Sequence, residues 1–259
     1  MNPLIAGFNL KKESEKIIKF LKAAFAKTGL KKLVIGVSGG VDSAASLYLA
    51  AKAIRPQKIL IAHLYYFQPH ISLIRHLCSS LQIPPQNQLF LSIKKPVDEL
   101  KKSLELTNQH LAINRIRFGN VMASVRMLIL FDLAKKHRAL VYGTENKSEN
   151  LLGYFTRYGD AASDIEPISH LYKTQVFQLA KYLKLPPKVL KAKPSAGLWV
   201  DQTDEGEFGF TYQEADQVLY QYFDKKISVS VIKKHFPNAE KIINFSKKNQ
   251  FKQVVPYCL

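Results

Sequence analysis

Asp42 stands where a phosphate-binding loop would carry a cation. It lies in Gly36-Val37-Ser38-Gly39-Gly40-Val41-Asp42-Ser43, entered from the apolar run Leu33-Val34-Ile35 and left through the small-residue helical pattern Ala44-Ala45-Ser46-Leu47-Tyr48-Leu49-Ala50. Strand, glycine turn and helix start together make a phosphate cradle. Backbone N–H groups of Gly39 and Gly40 are open to an anion, and a helix starting near Ser43 adds free donors and the positive end of its dipole. Ser38 and Ser43 add hydroxyls. The Lys-Ser/Thr pair of a Walker loop is missing. A carboxylate in its place repels phosphate unless a cation lies between, so the loop implies a divalent metal with oxygen ligands, Mg2+ first. Two adjacent glycines alone would fit an ordinary turn; the intact Ser-Gly-Gly-x-Asp-Ser after a buried strand argues for phosphate.

A second carboxylate follows another apolar run. Ala139 to Tyr142 leads into Gly143-Thr144-Glu145-Asn146-Lys147-Ser148-Glu149. Thr144 can hydrogen-bond a nucleotide, and Glu149, one turn into a short helix, can share a pyrophosphate-bound cation with Asp42. A solvated helix-start glutamate is the alternative reading. The next stretch, 152–164, is glycine-punctuated, aromatic and charged, without helix or strand period. Loops of that length usually serve function, here stacking on a flat ring and bonding to ribose or phosphate.

These residues need a scaffold, and the hydrophobic pattern supplies one. Residues 10–29 read as an amphipathic helix stopped by Gly29; strands are expected at 33–37, 58–64, 88–93 and 139–142. Helices are expected at 43–53, 69–82 and from about Asp98 to Lys136, with a break near Asn114 to Gly119. Strands alternating with helices indicate an α/β fold, a parallel sheet with helices on both faces in three layers and ligands at the strands' carboxyl ends. The hydrophobic content of 47% supports a sizeable core, and 259 residues fit a single domain, 1–259. No run reaches the length of a membrane helix and the N-terminus lacks a signal-peptide layout, so a cytoplasmic protein is expected. Cys78 and Cys258 read as buried or incidental thiols, too few for a disulfide framework. The net charge of +18 is spread in lysine pairs rather than one arm, which makes nucleic acid an unfavoured partner.

The glycine loop resembles the pyrophosphate loop of the N-type ATP pyrophosphatases, which adenylate an acceptor oxygen and release pyrophosphate. The run from Gly143 to Lys173 narrows the resemblance to the NAD synthetases. It carries Gly143-Thr144, Glu149, Gly153-Tyr154-Phe155-Thr156-Arg157-Tyr158-Gly159-Asp160, Asp164, Pro167 and Leu171-Tyr172-Lys173, followed by Pro194-Ser195-Ala196 and Gln202-Thr203-Asp204-Glu205. The resemblance implies an adenine nucleotide α-hydrolase-like fold and ATP-dependent amidation of deamido-NAD through an adenylate. It implies that Gly36, Val37, Ser38, Gly39, Gly40, Val41, Asp42 and Ser43, with Thr144, Lys173 and Ser195, bind ATP. Asp42, Lys173 and Ser195 would serve catalysis, and Asp42 and Glu149 would hold Mg2+. Arg126, Arg157, Asp164 and Lys252 would bind the acceptor. A homodimer is implied, with the apolar 121–134 helix suited to the interface.

The chain departs from the family pattern in four places. Ser124 replaces an arginine, Arg157 replaces a lysine, Phe251 replaces a histidine, and the segment after the second strand, 65–69, is short. The chain has no room for the glutaminase domain of glutamine-dependent relatives, so free ammonia is the expected donor. The segment 194–209 is a candidate lid with Gly197, Gly206 and Gly209 as hinges, and Asp204 or Glu205 could help deprotonate ammonia or form a lid salt bridge. A tRNA-modifying adenylating enzyme is the runner-up, favoured by the basic charge, and a non-catalytic basic binding module is the third reading.

Overall fold

Leu33, Val34 and Ile35 are all fully buried, although side chains alternate across a strand. Such a strand must be covered on both faces. The structure, a computed structural model, describes residues 4–106, 112–199 and 201–254, and it places β1 (Lys32–Gly36) inside a four-stranded parallel sheet of order β3-β2-β1-β4. The other strands are β2 (Ile59–Tyr65), β3 (Gln88–Ser92) and β4 (Ala139–Tyr142). Leu33, Ile35, Ile59, Ile61, Leu140 and Tyr142 face one layer, formed by α1 (Leu10–Thr28), α2 (Val41–Ala53), α3 (Ile71–Ser80) and α7 (Lys173–Tyr182). Val34, Ala62, Leu64 and Val141 face the opposite layer of α4 (Lys94–Ser103) and α5 (Ala112–His137). The α/β sandwich expected from the alternation is the one observed.

Local chemistry sets the boundaries. Asn9 caps α1 by accepting from the Lys12 N–H at 2.9 Å, and Gly29 ends it at φ +69°. α2 is built of small residues, with Ala44, Ala45, Ser46 and Ala50 wholly buried. It therefore lies close against α1, α7 and the sheet. It begins at Val41, two residues earlier than expected, so Asp42 sits inside its first turn.

The long helical region differs from expectation. α5 runs unbroken through Asn114 to Gly119, and the interruption lies instead between α4 and α5. Gly119 is there for a close approach: a Cβ on it would meet Leu198 Cδ1 at 2.9 Å. Cys78 lies in the core, where burial pushes its thiol up to about 11, an inert group. Cys258 lies outside the described residues.

Beyond β4 the chain builds a second apolar cluster. It joins α6 (Lys147–Leu152), α9 (Asp204–Phe208), α10 (Tyr212–Leu219), α11 (Val229–Ile232) and α12 (Ala239–Asn249) around Leu152, Tyr172, Phe208, Val218 and Ile243. α8 (Pro187–Leu190) packs near α2. Among the described residues no helix is long and apolar enough to cross a membrane.

Candidate active site

Parallel strands bring β1 and β4 to the same edge of the sheet, so the two sequence runs meet there. Lys173, first residue of α7, joins them. Its ammonium donates to Asp42 Oδ2 at 2.6 Å and to Glu149 Oε1 at 2.9 Å. Its side chain is 3% exposed. Asp42 and Glu149 thus cannot lie further apart than two hydrogen bonds laid end to end.

The surroundings fix this arrangement. Asn146 caps α6 by accepting from the Glu149 N–H at 3.0 Å, while Glu149 Oε2 accepts from the Asn146 N–H at 3.3 Å. The same Asn146 donates its side-chain amide to Asp42 Oδ1 at 2.9 Å. One residue therefore starts the helix bearing Glu149 and orients Asp42. Behind it, Ser148 Oγ accepts from the Lys173 N–H at 2.8 Å and donates to buried Asp216 at 2.5 Å. Asp216 also accepts from the Thr174 N–H at 2.8 Å, capping α7. The Asn-x-x-Glu capping pattern was there to be found in the sequence; the Asp216 link, from the middle of a distant helix, had no local signal.

Charge is unbalanced at this point. Burial works against the Lys173 ammonium, but Asp42, Glu149 and Asp204 outweigh it and hold its pKa well above the ordinary lysine value. Burial, and then Asp42 against the relief given by Lys173, raises Glu149 above the usual carboxylate range. Asp204 is 3% exposed, and its Oδ1 is buried with no hydrogen-bond partner. Oxygen donors with surplus negative charge suit a hard divalent cation. Among the described residues no group of three or more His, Cys, Asp or Glu side chains could hold a metal alone. Phosphate oxygens and water would therefore complete the shell of an ion held by Asp42 and Glu149.

The glycine loop is folded on itself. Ser43 Oγ accepts from the Ser38 N–H at 3.3 Å, and Ser38 Oγ accepts from the Gly40 N–H at 3.2 Å. Gly40, the N-cap of α2, provides no side-chain cap, which leaves the first-turn N–H groups for an anion. Gly36 ends β1 and Val37 follows it. Thr144, half-buried, stands just past β4.

The residues expected to bind the acceptor surround the loop 153–164. Gly159 lies against α5, where a Cβ on it would meet Ala123 Cβ at 3.0 Å. Thr156 Oγ1 donates to Asn120 at 2.8 Å. Arg126 donates to Leu64 O at 3.1 Å and feels the charge of Asp160. Arg157 lies over the Phe251 ring at 5.2 Å, and Lys252 donates to the carbonyls of Gly153 and Phe155 at 2.7 and 2.8 Å. Asp164 accepts from the Val141 N–H at 2.8 Å, closing the β4 edge. Ser195 stands apart: it is exposed and accepts from the Gly197 N–H at 3.1 Å within its own segment. Of the expected hinges, Gly197 and Gly209 have φ of +61° and +68°, whereas Gly206 lies inside α9, donating to Thr203 Oγ1. Sequence reasoning missed the half-buried pair Glu145 and Glu166. Burial and mutual repulsion push Glu145 up to about 8, and burial pushes Glu166 up to about 7.

A family model described as NAD synthase matches residues 13–256. The chain belongs to the NAD synthase family. The NH(3)-dependent NAD(+) synthetase of Fusobacterium nucleatum is 37% identical over 99% of this chain and 97% of its own length. That of Pyrococcus furiosus is 39% identical over 93% and 89%. Among solved structures, an NMN synthetase from Francisella tularensis matches with a TM-score of 0.81 and 32% identity, covering 97% of this chain and 99% of that one. An NH3-dependent NAD synthetase from Campylobacter jejuni matches with a TM-score of 0.78 and 27% identity, covering 97% and 100%. Membership in the NAD synthase family accounts for the near full-length match and for the sheet observed.

Proposed function

We propose that this protein is an ammonia-dependent NAD synthetase, a ligase that uses ATP to convert the nicotinate carboxylate of deamido-NAD into the amide of NAD. The observation that carries this reading is the convergence of Asp42 and Glu149 on Lys173 beside a phosphate loop, in a chain of this family. The carboxylate is a poor electrophile, so it first attacks the α-phosphorus of ATP, breaking the bond to pyrophosphate. The first-turn N–H groups of α2 and the Lys173 ammonium stabilise charge on the departing group. Mg2+, held by Asp42 and Glu149, would supply Lewis acidity to the phosphate oxygens. Thr144 adds an ATP contact, and Ser195, apart from the loop in this structure, would join it through movement of the segment that carries it; Arg126, Arg157, Asp164 and Lys252 bind the acceptor. Ammonia then attacks the acyl carbon, AMP leaves, and the nitrogen gives up a proton. The segment 194–209 keeps water from the adenylate. Two copies pair through the α4–α5 layer.

Purified protein with ATP, Mg2+, ammonia and deamido-NAD should form NAD, AMP and pyrophosphate in equal amounts. AMP release that depends on tRNA and ignores deamido-NAD would support the runner-up. A mononucleotide acceptor is a second reading, favoured by the match to an NMN synthetase and by Ser124 in place of a dinucleotide-binding arginine. Running nicotinate mononucleotide beside deamido-NAD in the same assay separates the two by kcat/KM.

A further inference from the structure

Val37, the entry residue of the phosphate loop, is tied to β2 at both ends of its backbone. Its N–H donates to Ala62 O at 3.0 Å, and its carbonyl lies 2.8 Å from Nδ1 of buried His63. A carbonyl only accepts, so Nδ1 carries the proton. Nε2 lies 3.1 Å from the backbone N–H of His70, which only donates, so Nε2 is bare. The two bonds together select the neutral Nδ1–H tautomer. His70 is the N-cap of α3, and α3 supports the loop from below: a Cβ on Gly39, at φ +95°, would meet Leu73 Cδ2 at 3.2 Å and Ile74 Cδ1 at 3.7 Å. One ring thus holds both the loop's first peptide and the helix beneath its turn.

We propose that His63 is the positioning residue of the phosphate loop, its neutral ring holding Val37 and α3 at the spacing ATP requires, so that protonation of the ring weakens ATP binding. This rests on the reading of the loop as an ATP cradle. A proton on Nε2 would set donor against donor at His70, while the Val37 bond survives. The ring is faced by Tyr65 of its own strand, Phe90 of β3, His70 at the head of α3 and Arg126 of α5, and Arg75 of α3 lies over Phe90. The cationic neighbours oppose a further positive charge. Burial holds the imidazole below its ordinary 6.5; the Val37 bond pulls the other way, and His70 and Arg126 add to the lowering. The ring is therefore neutral at pH 7, and the effect enters as pH falls through that depressed pKa.

The test uses the full chain. Nitrogen-15 histidine spectra at pH 7.5 should show His63, assigned by its loss in His63→Asn, as the Nδ1–H tautomer. An Nε2–H tautomer or an imidazolium overturns the proposal. ATP affinity is then measured by calorimetry from pH 8 to 5.5. The asparagine amide can still donate to Val37 but leaves His70 unbound, so His63→Asn should bind ATP about fivefold more weakly at pH 8. Wild type should lose about tenfold more affinity than the variant across the range, since ionisation of ATP itself is common to both. Equal acid dependence in the two proteins overturns the proposal. Wild type that binds no ATP at any pH overturns the ATP reading of the loop and the proposal with it, a result distinct from binding without acid dependence.

Discussion

Asp42 shows how much a single residue decides. Its carboxylate accepts from both Asn146 and Lys173. Asp42→Asn keeps an oxygen for Asn146 but turns a donor toward the Lys173 ammonium, so the charge and the Lys173 bond go together; the fold should survive while AMP release falls by about 100-fold or more. A preserved melting transition with wild-type turnover would take Asp42 out of the chemistry. Glu145 tests the opposite situation, a half-buried acid without a counter-charge. Its folded pKa of about 8 lies above the ordinary 4.5, so the folded protein holds the proton more tightly than the unfolded chain. The stability it contributes is full below 4.5 and is lost as pH rises through about 8. Glu145→Gln retains an oxygen for Asn150 and should flatten the fall of Tm between about pH 5 and 8; an unchanged slope would assign that fall to other groups. Both glutamates of this pair escaped notice in the sequence because only the fold brings residues 145 and 166 together.

At the scale of elements, the parallel strands and the loops at their carboxyl ends were legible, because alternating apolar runs and glycine punctuation are local signals. The break in the long helix was misplaced for a physical reason: Gly119 resembles a helix breaker, yet its missing side chain makes room for Leu198. The role of the C-terminal segment was illegible too. Ser246, Gln253 and Lys252 all donate to carbonyls at and just beyond the end of α6: Leu151, Asn150, Gly153 and Phe155. Those of Asn150 and Leu151 are in the last turn, where a helix leaves carbonyls unsatisfied, and a lysine just past that end also favours the dipole. α12 and the residues after it therefore set where the loop 153–164 begins. Lys252→Met should raise the KM for the dinucleotide about tenfold, leave that for ATP unchanged, and speed hydrogen exchange in 153–164. A rise in both KM values would place Lys252 in general stability instead.

At the scale of the molecule, charge and apolar surface pull in opposite directions. A formal charge of +18 drives copies apart, more strongly at low salt. Yet the α4–α5 layer exposes Leu100, Leu104, Ile113, Ile116 and Leu128, the last at 65%. α5 is the element that also contacts β1, β4 and α4, so this face is rigid and continuous with the core. A two-fold pairing would set α5 against its own copy and bury these side chains without adding any new element. Arg126 lies on this helix, and Asn120 of the same helix accepts from Thr156 of the 153–164 loop, so the proposed pairing would share one support with the proposed acceptor site. Light scattering should find a dimer at physiological salt that weakens as salt is lowered, because screening of the like charges is lost. Leu128→Glu should give a folded monomer with ATP binding near wild type and a raised KM for the dinucleotide. A wild-type monomer at every salt concentration, or a Leu128→Glu dimer of unchanged strength, would move the interface off α5.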